Sequence, residues 1–268
     1  MRQNLLFWLL LAFTVATCAF LIVPIGLSLL AGVSANWQLG PSGGLTLRWI
    51  EEVWSLYSGT VVRSLVLAVA CLIADLLLGV PLAYVLARHP SRRARAIEEL
   101  IMLPVAVPGL ATALALIILY GGWHQFRGSS SFILVGHVLF TLPFMVRSVL
   151  AVLASIDVKT LEEGAASLGA GPWRRLATVV LPNAKPGILA GSLMVVTLSV
   201  GEFNMTWMLH TPLTQTLPVG LADAYASMRL EIASAYTVVF LLMIVPLLIL
   251  MQLAAPSAVS GTAARGGK

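Results

Sequence analysis

Of 268 residues, 59% are hydrophobic and only 10% are charged, and the mean hydropathy is +0.96. A water-soluble domain carries about a quarter charged residues, so a soluble globular chain is excluded and the composition fits the bilayer as solvent. The net charge is +5 from sixteen Lys and Arg; in a soluble protein that balance points to nucleic acid, but here its distribution over loops is what informs.

In chain order, an apolar run from Leu5 to about Ala31 follows Arg2. It is too long for the core of a cleaved signal and long enough to span. Val15–Cys18 only loosely resembles a lipoprotein cleavage site, because Thr17 replaces a small apolar residue. The run is read as a retained helix. Five further apolar segments follow, giving six spans at about Leu5–Leu30, Thr60–Ala87, Ile97–Tyr120, Phe132–Ala154, Gly187–Leu209 and Ala235–Leu253. They define an all-α integral membrane protein. Between the first two, residues 32–59 hold Trp37, Trp49, Trp54 and Tyr57, aromatics suited to the headgroup layer, and predict an interfacial helix. Pro104 and Pro108 interrupt the third span and Pro143 the fourth. Packing kinks and a bent helix beside a pathway both remain open readings.

Basic residues set the orientation. With the N-terminus inside, inner segments carry eleven: Arg2, Arg88, Arg92, Arg93, Arg95, Lys159, Arg174, Arg175, Lys185, Arg265 and Lys268. Outer segments carry four: Arg48, Arg63, Arg127 and Arg229, with Arg147 inside the fourth span. The positive-inside rule therefore places both termini in the cytoplasm. Three segments follow: 1–58, the first span and outer loop; 59–255, a five-helix core with an inner loop at 156–186; and 256–268, a small, Gly-rich tail expected to be disordered.

The inner loop reads IDVKTLEEGAASLGAGPWRRLATVVLPNAKPG. Thr160 and Glu163 form a T-x-x-E capping box that predicts a helix starting near Leu161. Leu161, Ala165 and Leu168 recur at helical spacing, and Gly164, Ala165 and Ala166 keep the flank thin. Gly169 fits a left-handed stop and Pro172 the first turn of a second short helix, predicted to end near Leu181–Pro182. The product is a helix–turn–helix knob with basic Arg174 and Arg175, shaped for a cytoplasmic partner.

This loop resembles the EAA signature of permeases in binding-protein-dependent type I ABC importers, E-A-A, then L-G-A, then L-P. Glu163, Gly164 and Ala165 occupy the first triplet, Leu168, Gly169 and Ala170 the second, and Leu181–Pro182 the end; only Gly164 departs, replacing Ala. The resemblance covers about residues 60–255 and includes the P-x-x-x-P-G run at Pro104, Pro108 and Gly109. It implies the six-helix architecture of these permeases, with the loop as a coupling helix seated on an ATPase. Glu163 would cap the helix or meet a basic group there, Gly169 would make the turn, and Ala165 and Leu168 would pack in the cleft. It also implies ATP and Mg on that separate ATPase dimer, a second permease subunit (paralogue or copy), a periplasmic binding protein, and a bacterial inner-membrane location.

Ionisable groups at membrane depth are costly and suggest function. They are Asp75, Arg147 and Glu202, the last with Asn204 in the sequence TLSVGEFNMTWML. That helix resembles its counterpart in polyamine, aminoalkylphosphonate and oxyanion permeases, which makes Glu202, Asn204, Pro104 and Pro108 candidate pathway residues. The alternative for Glu202 is a structural hydrogen bond to a neighbouring helix, with Arg147 as the candidate partner. The resemblance leans to a polyamine such as spermidine or putrescine, or to a 2-aminoethylphosphonate-type compound, with an oxyanion or ferric iron as alternative. His137 is read as a packing residue within a span, and Cys18 and Cys71 as buried small hydrophobes. No P-loop, G-x-S-x-G elbow, H-E-x-x-H helix or metal-ligand cluster occurs in the sequence, so no catalytic, metal or cofactor residue is assigned. An ion-coupled secondary transporter remains the alternative class; it predicts paired broken helices and internal repeats.

Overall fold

The computed structural model describes residues 2–254. The tail expected to be disordered lies outside them. The described elements are helical: α1 (Arg2–Gly32), a 3-10 turn (Trp37–Gly43), α2 (Arg48–Arg88), α3 (Arg92–Ala106), α4 (Gly109–Tyr120), α5 (His124–Arg127), α6 (Ser130–Ser155), α7 (Val158–Ser167), α8 (Pro172–Arg175), α9 (Leu181–Gly201), α10 (Asn204–Leu209), α11 (Leu217–Ala226) and α12 (Leu230–Ala254). Five stretches are long and apolar enough to cross a membrane: Leu6–Gly32, Arg48–Arg88, Ser130–Ser155, Pro172–Gly201 and Leu230–Leu253. The sixth span is the bent pair α3–α4, whose halves meet at 100°.

Several boundaries differ from the sequence reading. The outer segment yields only the 3-10 turn; Trp49, Trp54 and Tyr57 lie on the first turns of α2, so the expected interfacial helix is part of a 41-residue helix. Pro143 leaves α6 continuous, and Pro104 stays inside α3. The break comes at Pro108. Val107 is extended, the conformation forced on a residue preceding proline. The fifth span is itself interrupted, since α9 ends at Gly201 and α10 starts at Asn204. The polar segment after His210 contains α11.

Contacts divide the described residues into two compact units, 2–61 with 219–243, and 62–218 with 244–254. In the first, the apolar window of α1 has no buried residue, as befits a helix that is hydrophobic all round. Its end is stitched by Trp49 Nε1 donating to the Ser34 carbonyl at 2.9 Å and by Glu231 accepting from the Trp37 amide at 3.2 Å. Cys18 is exposed on α1, which corrects the expectation that both cysteines are buried.

The second unit is organised by α6 against α9. Gly187 and Gly191 are four apart on α9, and a Cβ at Gly187 would sit 2.6 Å from the Ser148 carbonyl oxygen and 2.9 Å from Val149 Cα. Small residues at this spacing let two membrane helices touch backbone to backbone. Around that contact Cys71, Leu86, Met145, Val149, Leu153, Val158, Val180 and Val195 form the core. A second cluster joins Leu67, Leu116, Phe132, Ile133, Met205 and Leu209.

Candidate functional site

The inner loop forms a rigid corner. Ile156 is extended and ends α6, and Asp157 caps α7: its carboxylate accepts from the Thr160 amide at 3.1 Å and from the Thr160 hydroxyl at 2.6 Å. Those hydrogen bonds, hydroxyl first, hold the Asp157 carboxyl below the usual aspartate range. The predicted Thr160–Glu163 capping box is therefore corrected. Thr160 serves as donor to Asp157, and the helix begins three residues early, at Val158.

The stop is as the sequence requires. Gly169 has φ +83°, its amide donates to the Ala166 carbonyl at 2.9 Å, and the Ala170 amide donates to the Ala165 carbonyl at 3.0 Å. These two bonds make a Schellman stop, which satisfies the last carbonyls of a helix. Gly171 then caps α8, with Pro172 at its first position. The second helix does not end at Leu181–Pro182. Helix continues from Pro172 to Gly201 through a π turn at Leu176–Val180. The wider π register reduces the loss from Pro182, which has no amide to donate. Thus the corner is the cytoplasm-directed start of a span on the sequence reading, rather than a detached knob.

The side chains on the corner sort by exposure. Leu168 is 89% and Trp173 83% exposed, and Leu161, Glu163, Arg174, Leu181 and Pro182 are also exposed, while Ala165, Ala170 and Arg175 are half-buried. No heavy atom lies within 4 Å of a Cβ built at Gly164, so alanine would fit there. Glu163 has only a 3.9 Å contact with Lys159, an exposed pair of little energetic weight. Its neighbour Glu162, passed over in the sequence, is the buried one. Its oxygens accept from the Tyr84 hydroxyl and from Arg88 Nη1, both at 2.8 Å, and Arg88 Nη1 also donates to Tyr84 at 2.7 Å. Tyr84 and Arg88 stand four apart on α2, a spacing visible in the sequence as an i, i+4 pair.

Two of the pathway candidates, Glu202 and Asn204, flank the second helix break. Glu202 curls back over the start of α10: Oε1 accepts from the Met205 amide at 2.8 Å, and Oε2 accepts from the Thr206 amide at 2.8 Å and the Thr206 hydroxyl at 2.6 Å. Negative charge at a helix N-terminus is favourable and satisfies orphan donors. Arg147 is not its partner. Arg147 lies 3.5 Å from Glu98, whereas Glu202 is 3.8 Å from His137 Nε2. His137 is buried, hydrogen-bonded to Ser199 at 2.9 Å and Thr206 at 2.8 Å, so it links α6, α9 and α10. Glu202 and Asn204 line a concavity of about 270 Å³ with Phe140, Thr197 and Phe203. The first break adjoins the second, since a Cβ at Gly109 would lie 3.6 Å from Asn204 Cβ. Gly109, the residue after Pro108, therefore meets Asn204, whereas Pro104 lies within α3 on the other side of the bend. Asp75 is buried apart from these residues on α2; Thr141 donates to its Oδ2 at 2.6 Å, and Oδ1 has no partner among the described residues.

Six candidate spans, two adjoining helix breaks and an exposed apolar corner fit a multi-pass membrane subunit. A model of the family described as the binding-protein-dependent transport system inner membrane component matches residues 79–259. The chain belongs to that family, and it is an ABC importer permease. It is 27% identical over 236 residues to a Salmonella typhimurium protein named as the 2-aminoethylphosphonate transport system permease PhnV, covering 87% of this chain and 88% of that one. It is 31% identical over 169 residues to the molybdenum transport system permease ModB of Azotobacter vinelandii, covering 58% and 74% respectively. The crystal structure of a bacterial ABC transporter involved in alginate import shares the fold, with a TM-score of 0.71 and 17% identity over 95% of this chain and 96% of that one. The paired breaks, expected of the secondary-transporter class, are thus present in a member of the importer family.

Proposed function

We propose that this chain forms half of a translocation pathway driven by a separate ATPase dimer, and that its α7–α8 corner is the surface on which that ATPase acts. The observation that carries this reading is the corner itself. A Schellman stop fixes its shape, and Leu168 and Trp173 stand exposed there with nothing from the described chain over them. Large apolar side chains held rigidly in water mark a docking surface. ATP and Mg then belong to the partner, a second permease completes the pathway, and a periplasmic binding protein delivers the solute. The termini and the corner face the cytoplasm by the balance of basic loops.

For the solute, the Salmonella relative supports a 2-aminoethylphosphonate-type compound over a polyamine, and the Azotobacter relative supports an oxyanion as the second reading. Affinity purification of the chain from its native membrane tests the assembly. A P-loop ATPase, a second permease and a solute-binding protein are expected to co-purify, and the affinity of that binding protein for 2-aminoethylphosphonate against molybdate and sulfate decides the solute. Transport by the chain alone, in liposomes without ATP, would return the ion-coupled alternative.

A further inference from the structure

Helix α7 is continuous in sequence with α6 on one side and, through the corner, with α9 on the other. It has no short covalent tie to α2, whose last turns end some seventy residues earlier. Yet α7 and α2 are joined by the closed triangle of Glu162, Tyr84 and Arg88. Each pair of its members is hydrogen-bonded at 2.7–2.8 Å, and the Glu162 side chain is 2% exposed. Val158 and Leu86 share the same core cluster, but apolar contacts of that kind slide. The two charge-assisted bonds from Tyr84 and Arg88 to Glu162 instead fix distance and direction, and the Arg88–Tyr84 bond within α2 holds the two donors together. The outer flank of α7, with Leu161, Glu163 and Leu168, is free. A short helix seated on the core through Val158, pinned to α2 by one ionic point and exposed on its other flank is built as a lever.

The geometry points to Glu162 as the positioning residue that locks the coupling helix to the end of α2, so that α2 moves with α7 when the corner is displaced. This rests on the corner being the ATPase-coupling surface. Glu163, the signature residue one position on, is exposed and belongs to the docking face; Glu162 faces inward and transmits. The 41 residues of α2 also carry Asp75 and end beside the cavity of about 510 Å³ lined by Leu86, Ala87, Pro90, Arg95, Glu98 and Arg147. Motion at Arg88 is therefore carried along α2, to the cavity at its end and to buried Asp75 within the helix.

The test uses the purified importer complex in lipid nanodiscs, with spin labels on Ser167→Cys of α7 and Val85→Cys of α2, both exposed positions, in a background free of Cys18 and Cys71. Distances are read with and without ATP, Mg and vanadate. In the otherwise unchanged complex the α7–α2 distance should stay fixed while the ATPase domains close. In Glu162→Gln it should shift by more than about 3 Å, two residues of helical rise, with ATP hydrolysis retained within about twofold. Arg88→Lys with Glu162 intact, which keeps the cation opposite the carboxylate, should leave the distance fixed. Tyr84→Phe gives a milder lesion should Glu162→Gln fail to assemble, and should loosen the pair in the same direction. A distance that stays fixed in Glu162→Gln or Tyr84→Phe would overturn the joint. If no ATPase accompanies the unaltered chain, the importer assembly itself fails, and the failure is separable from that of the joint.

Discussion

Gly169 and Gly164 stand five residues apart on the corner and make opposite demands. At φ +83° a side chain on residue 169 costs about 1–2 kcal/mol, more when branched at Cβ. Residue 164 lies in open space inside a helix, where alanine gains about 1 kcal/mol. Gly169→Val is therefore expected to loosen the corner and lower uptake without lowering the amount of protein in the membrane, and Gly164→Ala to leave both intact. Trypsin cleavage at Lys159 and Arg174 in inverted vesicles reads the corner directly; it should accelerate in the first variant and slow in the second. Equal cleavage in all three proteins would contradict the assignment of the stop to Gly169. The Gly169 turn was legible because a left-handed residue has few substitutes. The cap was not: Asp157, Thr160 and Glu163 all suit a helix start, and only the extended backbone at Ile156 decides among them. Nor was Glu162 legible, since which of two adjacent glutamates turns inward depends on α2 arriving beside it.

At the scale of elements, composition located every span, but continuity was decided by neighbours. Three prolines looked alike in the sequence. Only Pro108 breaks its helix, where it is followed by Gly109 and leads a new helix, whereas Pro143 is buried inside α6 and leaves that helix whole. The break at Glu202 carried no proline at all; it is sustained by the carboxylate turning back onto the Met205 and Thr206 amides. Contact between α6 and α9 supplies the strongest prediction here. Because a Cβ at Gly187 would meet backbone atoms at 2.6–2.9 Å, which cannot rotate away, Gly187→Ala should destabilise the bundle by about 1–3 kcal/mol. Gly201→Ala, with no atom within 4 Å, serves as the comparison. Thermal unfolding in detergent should show a lower midpoint for the first and little change for the second; matching midpoints would mean that α6 and α9 are held by something other than close backbone approach.

For the whole molecule, everything proposed for the corner depends on which side of the membrane it faces. The argument for the cytoplasm is electrostatic. On the sequence reading, eleven basic residues fall in inner segments and four in outer ones, and four of the eleven flank the corner itself: Lys159, Arg174, Arg175 and Lys185. The class of protein was readable because such asymmetries, like apolar length, are properties of sequence alone. The meeting of Gly109 with Asn204 was not, because it needs two spans packed side by side. Orientation can be measured without knowing the solute. With Cys18 and Cys71 replaced, Ser167→Cys on α7 and Ser227→Cys between α11 and α12 place single thiols at exposed positions. A membrane-impermeant maleimide should label Ser227→Cys in intact spheroplasts and Ser167→Cys only after the membrane is opened. The reverse pattern would put the apolar corner outside, beyond reach of any ATP-driven partner, and the coupling role of α7 would fall with it. Labelling as expected leaves Leu168 and Trp173 on the side where ATP is made, which is the one place where a rigid apolar corner can turn hydrolysis into movement of the spans.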